Sequence, residues 1–266
     1  MTSFTTDDGC VLNWQIEGEA GRPPVVLSNS LGTNLQMWQQ QMPELMHHFR
    51  VLRYDGRGHG QSGLSPTVYG IDRLGRDVLA LLDAANVERA HFCGLSMGGM
   101  IGQWLGRMAP DRIDRLVLCN TAARIGPPDL WDRRIAAVEQ GGIAAIVPGV
   151  IERWFTKDFC ARDKAEVERI AAMLRQTPAA GYIAACAAIR DIDQREQVKA
   201  IKAPTLVIAG TFDQATTPVD GRFLADQIAG ARYLELPAAH LSNIETSEAF
   251  NAAPIEFLTA GDNADG

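Results

Sequence analysis

Short apolar runs that alternate with helical patterns constrain the fold of this chain more than any other feature. The runs are Val25-Val26-Leu27, Val51-Leu52-Arg53-Tyr54, His91-Phe92-Cys93, Leu116-Val117-Leu118-Cys119, Leu206-Val207-Ile208-Ala209 and Tyr233-Leu234-Glu235-Leu236. Runs this short, set between helical stretches, read as strands of a mostly parallel sheet covered on both faces. Ahead of them, Asp7-Asp8-Gly9 is a hairpin signal leading into the half-alternating strand Val11 to Ile16. Ile71, Leu74, Val78, Leu81, Leu82 and Ala85 fall on one helical face that should pack on the sheet. The strand rhythm stops after Cys119 and resumes only at Thr205. The interval carries helical patterns over residues 130–138, 143–155, 165–174 and 182–189, broken by Pro127-Pro128, Pro148 and Pro178. The expected architecture is an α/β fold with a sheet of about eight strands. Residues 1–121 and 204–266 would form its core and residues 122–203 an inserted helical cap. The last six residues, GDNADG, read as a frayed tail.

A chain of 266 residues, 46% of them hydrophobic, is long enough to bury a large core without disulfide or metal staples. Its net charge is -7, and no dense run of Lys and Arg could follow a phosphate backbone, so nucleic acid is not an expected partner. No stretch approaches the roughly 20 apolar residues of a membrane span, and the N-terminus carries acids where a signal peptide needs a basic start. Five widely spaced cysteines, mostly in apolar stretches, read as reduced, buried side chains of a cytoplasmic protein.

The chemistry is marked by Gly94-Leu95-Ser96-Met97-Gly98, between the run His91 to Cys93 and a helical pattern over residues 97–108 stopped by Pro110. A serine held on a tight turn between strand and helix needs neighbours without side chains, and glycines stand two residues away on each side. The helix that starts there aims its amides at any anion formed beside Ser96. A serine hydroxyl is a weak nucleophile until an oriented base takes its proton. His47 and His48 end the helical pattern of residues 37–47, His59 lies inside Gly56-Arg57-Gly58-His59-Gly60, and His91 sits in a strand. His240 alone follows a late strand, as a base in this architecture should. Asp213, just beyond the strand Leu206 to Ala209, is the candidate acid, since Asp220 and Asp226 fall in the next helix. The oxyanion donors would be the amides of Met97 and of Leu31, in the loop Ser28-Asn29-Ser30-Leu31-Gly32-Thr33.

At these residues the chain resembles the α/β-hydrolases, and more closely the 3-oxoadipate enol-lactonases of the β-ketoadipate pathway. The resemblance spans essentially the whole length. It rests on Ser28 to Thr33 with Met37-Trp38, on Tyr54-Asp55-Gly56-Arg57-Gly58-His59-Gly60-Gln61-Ser62, and on Gly94 to Gly99. Gly181-Tyr182 with Cys186, Ala188-Ile189-Arg190-Asp191, Gly210 to Pro218, and Pro237 to Glu245 extend it. Most α/β-hydrolases carry His-Gly where this chain has Asn29-Ser30, and Asn-Ser resembles the lactonase pattern. The resemblance implies hydrolysis of a small anionic lactone by Ser96, His240 and Asp213, with no metal or cofactor. Some lactonases are fused to a decarboxylase; a chain ending at the hydrolase is expected to perform one step only.

Such a substrate carries a free carboxylate, so a cation is expected in the pocket. Arg133 and Arg134 are the candidates, with Trp131, Trp154 and Tyr182 as apolar walls and Trp38 beside the oxyanion loop. A general carboxylesterase or perhydrolase with the same residues, or a non-catalytic small-molecule receptor on the same fold, would share most of these features. Dehalogenase and epoxide-hydrolase chemistry is disfavoured because it uses an aspartate where this chain has Ser96.

Overall fold

The hairpin at Asp7-Asp8-Gly9 joins β1 (Thr2–Thr5) to β2 (Val11–Glu17), and the Thr6 hydroxyl donates to Asp8 at 2.6 Å to close the turn. The remaining strands are β3 (Pro24–Ser28), β4 (Arg50–Tyr54), β5 (Ala90–Leu95), β6 (Ile113–Cys119), β7 (Thr205–Gly210) and β8 (Arg232–Leu236). They form one eight-stranded sheet in the order β1-β2-β4-β3-β5-β6-β7-β8. Strand β2 is antiparallel to both neighbours; β4, β3, β5, β6, β7 and β8 run parallel. Strands β5 and β7 are buried along their whole length, which suits sequences made mostly of small and apolar residues. This computed structural model describes residues 2–260; the expected tail, residues 261–266, lies outside the described residues.

The helices are α1 (Met42–His48), α2 (Ile71–Ala84), α3 (Met97–Met108), α4 (Pro128–Gly141), α5 (Val147–Trp154), α6 (Lys157–Arg162), α7 (Lys164–Arg175), α8 (Ala179–Arg190), α9 (Pro218–Gln227), α10 (Ser242–Glu245) and α11 (Ser247–Thr259). Helix α2 buries Ile71, Leu74, Val78, Leu81 and Leu82, the face its spacing prescribes. Two expected patterns are split. Over residues 37–47, the Asn34 side chain accepts the Gln36 amide and starts a 3-10 turn at Leu35–Trp38. Pro43, which fits only a first turn, makes α1 begin afresh at Met42. Residues 143–155 divide likewise into a 3-10 turn and α5, with Pro148 in the first turn of α5.

Helices α4 to α8 all lie between β6 and β7, as the gap in the strand rhythm requires. Parallel strands β3, β5, β6, β7 and β8 end at Ser28, Leu95, Cys119, Gly210 and Leu236 on one edge of the sheet. The loops that follow therefore gather Leu31, Ser96, Asn120, Asp213 and His240 at that edge.

Candidate active site

Ser96 joins β5 to α3 with φ 59° and ψ -113°, a conformation that costs a non-glycine residue roughly 1–3 kcal/mol. The surroundings hold it there. Its amide donates to the Cys119 carbonyl at 2.9 Å, and its carbonyl accepts the Thr121 hydroxyl at 2.7 Å. The flanking glycines are sterically required. A Cβ on Gly94 would stand 2.2 Å from the Gly98 carbonyl oxygen, and one on Gly98 would stand 2.2 Å from the Ser28 carbonyl oxygen. The turn thus closes against itself and against β3.

Asp213 and His240 meet in a buried pair, with His240 Nδ1 2.8 Å from Asp213 Oδ2. That oxygen also accepts from Thr216 Oγ1 at 2.8 Å and Asn120 Nδ2 at 3.1 Å, while Oδ1 accepts the amides of Ala215 and Thr216 at 2.8 and 3.0 Å. Burial alone would push this carboxyl up, but His240 and the donors around it outweigh burial and hold it below the ordinary value of 3.8. An ionised Asp213 places the imidazole proton on Nδ1 and leaves Nε2 free to accept. Asn120, at φ 44°, also donates to the Ala239 carbonyl and accepts from Ser242, tying the ends of β6 and β7 to the histidine loop. The amides on either side of His240 are anchored too: Ala239 N–H to Glu245 at 3.0 Å and Leu241 N–H to the Trp154 carbonyl at 3.0 Å.

Leu31 lies in a turn closed by the Thr33 amide on the Ser30 carbonyl at 3.2 Å. Gly32, the third residue of that turn, has φ +78°, the type II value. Around the two turns, the amides of Gly32, Thr33, Gly98 and Met100 are taken by His59, Ser30, Asn29 and Ser96. Among the described residues, the amides of Leu31 and Met97 meet no protein acceptor.

A cavity is lined by Leu31, Ser96 and His240 on one side. Trp131, Arg134, Arg153, Trp154 and Tyr182 from α4, α5 and α8 face them. Tyr182, Trp131 and Trp154 are buried and half-buried Arg134 lies 5.1 Å over the Trp131 ring. Among the described residues neither Arg134 nor Arg153 makes an ion pair. Burial and the nearby Arg134 hold the Arg153 guanidinium below its ordinary value, which marks a place where positive charge lacks compensation.

Two expected site residues lie elsewhere. Arg133 is an exposed side chain bonded to Asp129, on the solvent side of α4. Trp38 is fully buried; its Nε1 donates to Asn29 Oδ1 at 2.9 Å and its ring packs near Phe250, so it touches the Ser28–Thr33 loop without lining the cavity. Arg153, Asn120 and Glu245 did not stand out in the sequence. Arg134 lies between the apolar positions Trp131 and Val138 at three- and four-residue steps, and Arg153 adjoins the stripe Val147, Val150 and Trp154, a signal that distinguishes both from Arg133. All five cysteines are free. Among the described residues no helix is long and apolar enough to cross a membrane, and no group of three His, Cys, Asp or Glu could hold a metal ion.

The family of the alpha/beta hydrolase fold matches residues 23–247. This chain belongs to the α/β-hydrolase family. Among α/β-hydrolases it is 43% identical over 248 residues to the 3-oxoadipate enol-lactonase 2 of Acinetobacter baylyi, covering 93% of each chain. The crystal structure of the enol-lactonase from Burkholderia xenovorans LB400 superposes with a TM-score of 0.93 at 48% identity, over 94% of this chain and 97% of that one. A hydrolase from Pseudomonas aeruginosa PA01 gives a TM-score of 0.94 at 50% identity, over 97% of both chains. These relationships make the chain an enzyme that acts on carboxylic ester bonds.

Proposed function

We propose that this enzyme hydrolyses 3-oxoadipate enol-lactone to 3-oxoadipate, a step of aromatic-compound breakdown through the β-ketoadipate pathway, in the cytoplasm. The observation that carries the reading is the cavity itself, which sets two arginines without ion-pair partners opposite Ser96 and His240. Arginine binds a carboxylate with two parallel donors, so Arg134 and Arg153 would receive the free carboxylate of the lactone. Trp131, Trp154 and Tyr182 would wall the ring, and residues 122–203 would act as the cap that supplies these groups.

In this reading Ser96 Oγ attacks the ring carbonyl while His240 Nε2 takes its proton, and Asp213 holds the imidazole by Nδ1 and stabilises its positive form. The amides of Leu31 and Met97 receive the oxyanion. Collapse breaks the ring C–O bond and expels an enolate, whose charge is delocalised; the proton returns from His240 and tautomerisation gives the ketone. Water then adds to the acyl group on Ser96, losing a proton to His240, and the new carboxylate leaves as Ser96 is reprotonated. The sum is lactone plus water to keto-diacid.

The test is turnover of freshly generated enol-lactone, followed by loss of its ultraviolet absorbance, beside p-nitrophenyl acetate. Preference for the lactone in kcat/KM, with loss of about a million-fold in kcat for Ser96→Ala, is expected. Equal kcat/KM on the neutral ester would reject the lactone assignment, and near-normal turnover by Ser96→Ala would reject the nucleophile.

A further inference from the structure

His59 is a buried imidazole that takes no part in the mechanism above, yet it reaches the turn that carries Leu31. Two hydrogen bonds dictate its state. The Gly32 amide is a donor 3.1 Å from Nε2, so Nε2 must be unprotonated; the Arg57 carbonyl is an acceptor 2.9 Å from Nδ1, so Nδ1 must carry the proton. Arg57 is itself tied on two sides. Its buried guanidinium bonds both oxygens of Asp77 and both oxygens of Asp8, across to α2 and the first hairpin.

The Gly32 amide belongs to the central peptide of the Ser30–Thr33 turn. Type I and type II turns differ by a flip of that peptide, which exchanges the directions of its N–H and C=O. In the observed type II form the N–H meets the His59 lone pair. After a flip, the Leu31 carbonyl would meet it instead and the Gly32 amide would lose its acceptor. We propose that His59 is the positioning residue of the oxyanion turn: its Nε2 takes the Gly32 amide, one residue beyond Leu31, and so holds in place the turn that carries the Leu31 amide. This rests on the assignment of the Leu31 amide as an oxyanion donor.

Paired substitutions separate the two ideas. Gln at position 59 can place a carbonyl oxygen near the former Nε2, whereas Asn can replace only the Nδ1 side. His59→Asn is expected to lose tenfold or more in kcat with KM unchanged, bounded by the roughly 10²–10³-fold loss of a whole oxyanion donor. Its affinity for a boronic acid that forms a tetrahedral adduct on Ser96 should fall in parallel, and His59→Gln should recover most of both. Leu31→Pro removes the amide while suiting the second position of a type II turn, and Leu31→Ala is its side-chain control. Leu31→Pro should fall about 10²–10³-fold below Leu31→Ala.

A His59→Asn enzyme within threefold of the parent, beside a crippled Leu31→Pro, would overturn the role of His59 and leave the oxyanion assignment standing. Leu31→Pro equal to Leu31→Ala would overturn the oxyanion assignment itself. If His59→Asn does not fold, the ¹⁵N resonance of His59 in the parent enzyme decides: an unprotonated Nε2 throughout the active pH range supports this role, and a protonated Nε2 refutes it.

Discussion

Replacing Asp213 by Asn removes one charge and almost no volume, and the bonds around it dictate how the amide must sit. With its nitrogen toward Oδ1, the new side chain would oppose two backbone donors, Ala215 N–H at 2.8 Å and Thr216 N–H at 3.0 Å. With its nitrogen toward Oδ2 it opposes one fixed donor, Asn120 Nδ2 at 3.1 Å, because the Thr216 hydroxyl can rotate and accept. An opposed buried donor costs about 1–3 kcal/mol, so the second orientation wins. It points an N–H at His240 Nδ1, 2.8 Å from the carboxylate oxygen it replaces. The imidazole must then accept at Nδ1 and carry its proton on Nε2, where it cannot take the proton of Ser96. A wrong-tautomer histidine in a serine triad costs roughly 10⁴-fold in kcat, or about 5 kcal/mol of transition-state stabilisation. The single conflict at Asn120 should cost only about 1–3 kcal/mol of stability. Steady-state turnover of the enol-lactone and urea unfolding of the same preparation measure the two effects. A folded Asp213→Asn enzyme within tenfold of the parent rate would refute the tautomer argument and move the acid role elsewhere.

Arg153→Gln and Arg134→Gln should each raise KM for the anionic lactone and spare p-nitrophenyl acetate; equal effects on both substrates would remove them from the carboxylate site. Gly98→Ala places a Cβ 2.2 Å from the Ser28 carbonyl oxygen, a backbone atom that cannot swing aside. Overpacking of this kind costs about 1–3 kcal/mol, and a variant as stable as the parent in urea would show that the elbow has slack. Burial holds the His59 imidazole below 6.5 despite the Arg57 carbonyl and the Asp55 charge. The unfolded chain therefore binds the proton first, and stability should be lost as pH falls below about 6.5 toward the folded value. That acid slope should be smaller in His59→Gln, and an unchanged slope would assign it to other groups.

The positions of Ser96, Asp213 and His240 are readable because each lies within four residues of the end of a parallel strand, and the parallel strands carry those ends to one edge. Glycine spacing around Ser96 reports a local steric need, visible without any tertiary contact. The cavity wall was less legible. Arg133 and Arg134 are neighbours in the chain but about 100° apart on α4, and only the face packed against α8 decides which one turns inward. Arg153 reaches the cavity from a helix whose start is set by Pro148, and residues 143–155 read as one continuous helix would rotate it differently. Trp38 misled because nearness in sequence to the oxyanion loop is satisfied equally by a bond to Asn29 from within the core.

The contacts of the inserted helices bear on whether Ser96, Asp213 and His240 could do the proposed work without them. Leu174 and Tyr182 stand where a Cβ on Gly32 would lie, and the Thr177 hydroxyl donates to the Gly32 carbonyl at 3.2 Å. The Trp154 carbonyl and Thr156, through Glu245, hold the backbone on both sides of His240. Both the turn that would receive the oxyanion and the loop that bears His240 are therefore fixed from above by α5 to α8, as well as from below by the sheet. A wall that only bound substrate could be altered with a change in KM alone. A wall bonded to Gly32 and to the neighbours of His240 transmits any shift of its own to the reacting groups, so substitutions at Thr156 or Thr177, which touch no substrate in this reading, should lower kcat while leaving KM in place.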